Sequence, residues 1–539
     1  MLSRLYEVLR RSRLAWLGAA GLASVAALGL AAAGDPPPAP APDTDYDADG
    51  GWWTPGNSPP VPTEAAFADD AGAVGFLYTG AAIDPRTHPF FAPIGTNGRA
   101  CVTCHQPANA MSISVATIQR RWAETNGSDP LFASVDGSNC PNLPQADAAS
   151  HSLLLKRGLF RIALPWPPKR PDGTRIDPEF TIEVVQDPTG CNTNPQYGLN
   201  SATPTISVYR RPRPVANLKY VVGPERGIGG RINLFGPKNT GLPMATDPET
   251  GGRVTMQIMS DARAPTLRAQ ARDAALTHLQ MQGALTEAQL TQLTDFEMSV
   301  YSAQVSSRGA GRLDEPGGPR ALGPRNLERN PNGVLGDNFD DPVFFDFNMW
   351  KTAQLGETRE QRAFRLSVVR GYDIYFLRPF WVRDSMHLNT VGLGNPAKRT
   401  CATCHNMQMT GMDLVSGWVD LGTSNLPYAN QVLTTPQDRE RRPDLPLFKI
   451  TCKADAPPHM FLGRVIYTHD PGRALISGRC MDVGSVVMQQ FRGLSARAPY
   501  FANGSAANLR ELVDFYDRRY NIGLTEQDKV DLINFLSVL

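Results

Sequence analysis

The stretch RTCATCHNM, Arg399–Met407, repeats an arrangement that occurs earlier in the chain as RACVTCHQP, Arg99–Pro107. The chain holds only 8 Cys and 8 His among 539 residues, yet each stretch places two cysteines and one histidine next to one another. Residues at positions i, i+3 and i+4 share one face of a helix. Each stretch can therefore present two thiols and one imidazole to a single flat ligand.

This CxxCH spacing is typical of c-type haem attachment, in which both thiols bond to vinyl groups and the imidazole binds iron. A zinc knuckle and a thioredoxin-like redox pair are the alternatives. Zinc sites usually take four ligands at other spacings, and the redox motif does not need the histidine. The sequence predicts two covalently bound c-type haems, held by Cys101, Cys104 and His105 and by Cys401, Cys404 and His405.

The amino terminus is typical of an export signal, because four arginines precede an apolar run from Leu14 to Ala33 that ends in small residues. We predict a signal peptide over residues 1–33 and a periplasmic protein; an uncleaved membrane anchor is the alternative. Cleavage removes four Arg and one Glu and changes the formal charge from +1 to −2. A chain so close to neutral is not expected to bind nucleic acid.

The other four cysteines lie two in each half of the chain, and disulfides persist in exported proteins. We predict the pairs Cys140–Cys191 and Cys452–Cys480. Spacing alone does not determine connectivity, so crossed pairs and free buried thiols stay open as alternatives.

An internal repeat organises the rest of the chain. ALTEAQLTQLTDFEMSVY (Ala284–Tyr301) parallels GLTEQDKVDLINFLSVL (Gly523–Leu539), with Phe296 over Phe535 and with Thr286 and Thr525 as predicted N-caps of amphipathic helices. Just upstream, SDARAPTLRAQARDA (Ser260–Ala274) parallels ANGSAANLRELVDFY (Ala502–Tyr516), with Leu267 over Leu509, and each half is predicted to carry a short helix there. We predict a mainly α fold of two haem-binding units with long loop-rich insertions, in which IEVV and ALP form small hairpins. The predicted segments are a Pro/Gly-rich linker at 34–74, domains at 75–308 and 337–539, and an interdomain linker at 309–336.

Two further stretches, FRGLSARAPYFANGSAANLRELVDFYDRRY (Phe491–Tyr520) and GYDIYFLRPFW (Gly371–Trp381), are similar to motifs of the bacterial dihaem cytochrome c peroxidase superfamily. That superfamily includes the dihaem enzyme that matures methylamine dehydrogenase and, more distantly, rubber oxygenases. The resemblance covers about residues 75–539 and implies two cytochrome c-like domains. It also implies that the His105 haem reacts with hydrogen peroxide. The His405 haem would relay electrons from a small periplasmic donor, a cytochrome c or a cupredoxin.

The resemblance implies that Tyr516 is the second axial ligand of the C-terminal haem. A role as an ordinary buried helix residue is the alternative for Tyr516. The competing ligands are Met407, Met409, Met412, His459, Met460 and His469. The family also implies an interdomain calcium ion, although Ala202 replaces the asparagine expected in that site.

The N-terminal pocket departs further from the family. Gln270 stands at the position of the pocket glutamine, and Gln280, which cannot titrate, replaces the expected acid. His278 is the nearest substitute proton carrier; a helix-end cap or a core histidine is the alternative. Ser260 stands where the family has a tryptophan between the two haems. Trp350 or Trp381 could take the place of that tryptophan. The alternative for both residues, and the commoner role of a tryptophan, is packing in the core. His151 is either a releasable sixth ligand or a polar surface residue.

The expected activity is reduction of hydrogen peroxide by a periplasmic dihaem oxidoreductase. One alternative is an electron carrier or sensor whose irons are both closed by two ligands. Another is oxidation of an organic or protein substrate, for which the long insertion from Ala108 to Arg253 would form a channel.

Overall fold

The computed structural model describes nine segments of the chain. These are residues 51–170, 173–222, 244–246, 253–255, 258–329, 343–385, 396–405, 418–426 and 442–539. The predicted signal peptide or anchor at 1–33 lies outside them. No helix of the described segments combines the length and the apolar character needed to cross a membrane.

The prediction of a mainly α fold is wrong. In the described segments 31% of residues are helical and 19% lie in strands, which form several antiparallel sheets. The insertions that the sequence indicated as loops contain much of this β-structure.

The helices are short except for one. Their bounds are α1 Val115–Thr125, α2 Ser152–Arg157, α3 Leu267–Thr277, α4 Glu287–Met298, α5 Pro324–Arg329, α6 Arg359–Leu377, α7 Cys401–Cys404, α8 Ala474–Ser477, α9 Leu509–Tyr520 and α10 Glu526–Ser537.

The strands are also short. Their bounds are β1 Glu64–Ala68, β2 Gly72–Tyr78, β3 Phe160–Pro165, β4 Phe180–Gln186, β5 Thr205–Arg210, β6 Met244–Thr246, β7 Arg253–Thr255, β8 Val300–Ser307, β9 Gly311–Arg312, β10 Phe380–Val382, β11 Ala397–Arg399, β12 Trp418–Val419, β13 Asn425–Leu426, β14 Leu447–Cys452, β15 Val465–Thr468 and β16 Val486–Val487.

Two four-stranded sheets dominate. One has the order β1-β2-β8-β9, and the other has the order β13-β15-β14-β4. The second sheet joins β4, from the first half of the chain, to three strands from the second half, with Ile182 opposite Ile450. The predicted hairpins are replaced by longer pairings: IEVV lies in β4 and pairs with β14, whereas ALP lies in β3 and pairs with β5.

Alternation of side chains explains why these insertions form strands. In β14, Phe448, Ile450 and Cys452 are buried while the residues between them are partly exposed. Successive side chains of a strand point to opposite faces, so this period of two buries one face of the sheet. Phe180 and Ile182 of β4 supply the same core. The strands are too short, and too closely flanked by proline, for the pattern to stand out in the sequence.

The repeated helices are confirmed. Thr286 and Thr525 cap α4 and α10, and each side chain accepts a hydrogen bond from the backbone N–H three residues later. The predicted short helices upstream are also present: α3 and α9 begin at Leu267 and Leu509, which the repeat aligns with each other. The closing helices therefore occupy matching places in the two halves of the chain.

The long helix α6 crosses α10 closely at Gly371. A Cβ atom at Gly371 would lie only 2.0 Å from the Asp531 carbonyl oxygen, so only glycine fits this crossing. Phe347, Tyr372 and Phe535 form the aromatic centre of the surrounding core. The helix ends at Leu377, ahead of the second CxxCH motif, as expected from GYDIYFLRPFW.

The described parts of both predicted linkers carry structure. Trp53 is buried against Phe76 and Phe91, and β1 lies within the predicted 34–74 linker. In the 309–336 stretch, β9 and α5 form, and Leu313 and Leu322 are buried. Proline and glycine here mark tight turns within packed structure rather than a free tether.

The structure contains the two disulfides predicted from the sequence. Cys140 pairs with Cys191 at a Cα–Cα distance of 5.2 Å, and Cys452 pairs with Cys480 at 5.8 Å. All four cysteines are buried. The second bond fastens the end of β14 to the turn after α8.

Candidate functional site

The first CxxCH motif lies on a single 3-10 turn, Cys101–Thr103. The backbone N–H groups of Cys104 and His105 both donate to the Cys101 carbonyl at 3.2 Å, which places the three side chains along one edge. Cys101, Cys104 and His105 line a partly open cavity.

The chemical state of these side chains fits haem attachment. Both thiols are free, and burial raises the pKa of Cys104 to about 12 and raises that of Cys101 further. Burial also lowers the pKa of His105 to about 4, so its imidazole is neutral. The His105 Nδ1 atom lies 3.1 Å from the Met111 carbonyl oxygen, to which it donates as N–H. This contact leaves Nε2 with the lone pair that an iron ligand needs.

The cavity walls are largely apolar but carry buried guanidinium groups. Phe160, Ile162 and Val221 come from the long insertion, and Leu293 comes from α4. Arg211 lines the cavity and donates to the backbone carbonyls of Ile113, Arg157 and Arg497. Burial lowers its pKa to about 9. Such a site would accommodate the anionic carboxylates of a porphyrin.

A buried ion cluster fixes the wall that carries these arginines. The Arg210 side chain contacts the Asp470 carboxylate at 2.7 Å and the Asp261 carboxylate at 2.5 Å. Arg263 also contacts Asp261, at 3.1 Å. Because Asp470 lies in the second half of the chain, the cluster ties the cavity wall to the second four-stranded sheet.

Two of the three predicted pocket residues reach the cavity. Gln270, on α3, and His278, at the carboxyl end of the same helix, both line it. Gln280 does not: it is exposed, and its backbone carbonyl accepts hydrogen bonds from Thr96. The residue that replaces the expected acid is therefore outside the site.

His278 is partly exposed and contacts a buried ion pair, Arg99–Asp136. Its Nδ1 atom lies 2.5 Å from an Asp136 carboxylate oxygen, and the other oxygen of Asp136 accepts a hydrogen bond from Arg99. Burial alone would raise the pKa of Asp136, but the charges of Arg99 and His278 hold it below its usual value. The ionised Asp136 carboxylate accepts a hydrogen bond from the Nδ1–H group of His278, so Nε2 is the ring nitrogen that stays available to another partner.

The second CxxCH motif opens helix α7. His405 is buried, and its ring lies 4.5 Å from that of Phe491 and 6.4 Å from that of Tyr516, between ring centroids. The Tyr375 hydroxyl donates to the His405 carbonyl oxygen. The Cys404 side chain is outside what the structure describes, whereas the Cys401 thiol is free. The structure thus brings His405 and the predicted ligand Tyr516 together.

The competing ligands that the structure describes have other contacts or are exposed. Met407, Met409 and Met412 lie outside the described residues. The contacts described for His459 are with Asp420, at 3.6 Å, and with the backbone N–H groups of Phe461 and Leu462. The contact described for the His469 ring is with the Pro446 carbonyl oxygen. Met460 is exposed.

His151 is unsuited to reversible haem ligation in this conformation. It is fully buried, and its two ring nitrogens lie 2.8 Å from the carbonyl oxygens of Gly137 and Gln145. Trp122 and Phe132 pack against its ring. It is therefore a core residue, not the polar surface residue of the alternative.

Two consecutive residues connect the candidate sites. Gln490 lines the first cavity, and Phe491 packs against the His405 ring. Gln490 is held by hydrogen bonds of 3.0 Å to Asn217 and to the Ala216 carbonyl. Ser260 also lines the cavity, whereas Trp350 is buried in the core around Phe347 and Trp381 is exposed on β10.

No role in the site was predicted for Asp136, Glu297 or Phe491, although Phe491 begins one of the quoted motifs. Asp136 lies in a loop without a motif, so no local signal identifies it. Glu297 did leave a signal, because it stands where the second copy of the repeat has Leu536. Within the described ranges, no group of three or more His, Cys, Asp or Glu side chains is arranged to hold a metal ion, and the predicted calcium stays a prediction.

No known protein-family model, curated protein or solved structure matches this chain. The resemblance to dihaem peroxidases therefore depends on the quoted motifs alone.

Proposed function

We propose that this protein is an exported dihaem c-type oxidoreductase that reduces hydrogen peroxide, with electrons passing from the C-terminal to the N-terminal haem. The observation that carries the proposal is the meeting of one complete CxxCH set, Gln270 and His278 around a single cavity. Separate stretches of the chain, more than 150 residues apart, supply the two sides of this arrangement.

A bound haem would supply an iron that changes oxidation state. The protein supplies access, orientation and proton transfer. Reduction of one peroxide molecule consumes two electrons and two protons and yields two waters. His278 carries protons through Nε2, because Asp136 holds Nδ1 at 2.5 Å, and Gln270 offers an amide to orient the peroxide.

The electron route proposed here runs through the residues that touch both sites. Phe491 packs against the ring of His405, and the preceding Gln490 lines the N-terminal cavity. The peptide bond between Gln490 and Phe491 therefore joins the wall of the cavity to the ring that packs on His405. A small cytochrome c or cupredoxin is the proposed external donor.

Peroxide turnover by purified haem-loaded protein tests the proposal. His278→Gln should reduce turnover about 100-fold, the usual contribution of a positioned acid–base group, without changing haem content. Thr277→Ala is the matched control, because Thr277 is the exposed neighbour on the same helix. Wild-type turnover no faster than that of free haem, with an N-terminal haem that binds neither cyanide nor CO, would refute the proposal.

A second candidate function is oxidation of an organic substrate, which the apolar lining of the cavity favours. Phe160 and Ile162 of the long insertion line it, and binding sites for apolar ligands are lined mainly by such side chains. Incubation of the haem-loaded protein with apolar test compounds and an oxidant, followed by mass spectrometry, decides between peroxide reduction and oxidation of an organic substrate. An oxygenated product formed faster than peroxide is reduced would favour this function.

A further inference from the structure

A buried acid that has no part in the proposed peroxide mechanism lines the same cavity. Glu297, in the last turn of α4, is 4% exposed, and its Oε2 atom is buried without a hydrogen-bond partner. None of the hydrogen bonds or ion pairs of the described residues involves its carboxyl group. A buried carboxyl without partners is costly to fold, and such groups tend to be kept for function.

The internal repeat shows that the fold does not need an acid here. Phe296 aligns with Phe535, so Glu297 aligns with Leu536, which is equally buried at 5% exposed. The helix that closes the second half therefore presents an apolar side chain at the same position. The carboxyl is a specific feature of the first half, where the cavity is.

The surroundings of Glu297 contain few groups that could compensate its charge. Burial raises its pKa to about 8, and no charged neighbour contributes appreciably. Besides burial, the charge of Glu297 raises the pKa of the Cys101 thiol. Once a porphyrin is attached, Cys101 would be a thioether and would no longer titrate.

The titratable and charged groups of the elements packed against α4 are engaged elsewhere. Arg268 and Arg272 of α3 contact Glu287, in the first turn of α4, and Asp273 contacts Arg263. Lys219 donates to the Glu328 carbonyl, His88 packs on Phe296, and Tyr78 donates to the Ala81 carbonyl. Asp295 of α4 is exposed. The cavity itself is also lined by Arg99, Asp136, His105, Arg210, Arg211, Arg213 and His278.

We propose that Glu297 is the proton acceptor that couples to reduction of the N-terminal haem, an inference that depends on the haem attachment in the proposed function. When an electron from the donor enters the cavity, the added negative charge favours the neutral carboxylic acid. Where the pH is above about 8 and the carboxyl is ionised before the electron arrives, Glu297 then binds one proton from solvent. One electron and one proton enter together, so the net charge of the cavity is unchanged.

The test is the pH dependence of the midpoint potential of the N-terminal haem in the haem-loaded protein. In the pH range where Glu297 takes up a proton on reduction, each pH unit should change the reduction equilibrium tenfold, which is about 59 mV for one electron. Glu297→Gln and Glu297→Leu should both abolish this dependence. Glu297→Leu introduces the residue type that the second copy of the repeat has at this position, Leu536. It remains informative if Glu297→Gln folds poorly.

Asp295→Asn is the matched control, since Asp295 is exposed two residues earlier on the same helix. Infrared difference spectra on reduction should show a protonated carboxyl band in the wild type that is absent from both Glu297 variants. Equal slopes of potential against pH in the wild type and both variants would overturn the inference.

The outcome separates this inference from the proposed function. A coloured protein with no peroxide turnover but with the pH-dependent potential would refute only the peroxidase activity. A protein with two haems, full turnover and identical slopes would refute only the role of Glu297. A protein without haem would refute both.

Discussion

Replacing Glu297 by glutamine should make the protein less sensitive to alkaline pH. The pKa of this carboxyl is 4.5 in an ordinary environment, and burial raises it to about 8 in the folded chain. Folding therefore binds one proton between these two pH values. Stability from this group is fully present below pH 4.5 and is lost as the pH rises toward about 8.

The magnitude follows from the size of the shift. One pKa unit corresponds to about 1.4 kcal/mol, so the raised pKa of Glu297 costs the folded state about 5 kcal/mol above pH 8. Glu297→Gln has no such titration, although its buried amide brings a cost that does not depend on pH. Between pH 5 and pH 8, the free energy of unfolding of the variant should rise relative to wild type by about 4 kcal/mol.

Urea unfolding of both haem-loaded proteins at pH 5, 6, 7 and 8 measures this difference. All other titrating groups are common to the two proteins, so they cancel when the free energies are subtracted. Asp295→Asn serves as the control, because an exposed acid on the same helix should give a curve parallel to wild type. A difference between wild type and Glu297→Gln that stays constant across this range would refute the buried, unpartnered state of Glu297.

Three further perturbations test other parts of the structure. Gly371→Ala should lower the free energy of unfolding by about 2 kcal/mol, because its Cβ would lie 2.0 Å from the Asp531 carbonyl oxygen; unchanged urea midpoints would contradict the close helix crossing. Asp136→Asn should cost about 3 kcal/mol, since Arg99 would keep a buried charge without its counter-ion, and thermal unfolding would show no change if that pair were unimportant. Phe491→Ala should slow electron equilibration between the two haems after flash reduction, and an unaltered rate would exclude this route.

The parts of the fold that the sequence predicted are those with local signals. Thr286 and Thr525 precede acidic and apolar residues at helical spacing, and both became N-caps. The cysteine pairs also followed from their distribution in the two halves. The sheets were missed because strands such as β4 and β14 find their partners far away in the chain, and pairing of this kind leaves no local pattern.

In the candidate site, too, the residues that were predicted are those with a local signal in the sequence. The CxxCH motifs are contiguous, and Gln270 and His278 lie on one helix, so their joint position was accessible from the sequence. Asp136 could not be predicted, because only tertiary packing brings its loop to His278. Gln280 was assigned to the pocket from its position alone. A left-handed backbone conformation, with φ of 54°, follows the helix end there, and the side chain is exposed.

Each CxxCH motif is proposed to carry one covalently attached haem. The pyridine haemochrome assay on exported, purified protein measures this directly, in combination with the intact mass. We expect two haems per chain, with one lost in a Cys101→Ser, Cys104→Ser variant and the other in a Cys401→Ser, Cys404→Ser variant. A colourless protein, or a single haem per chain, would contradict it.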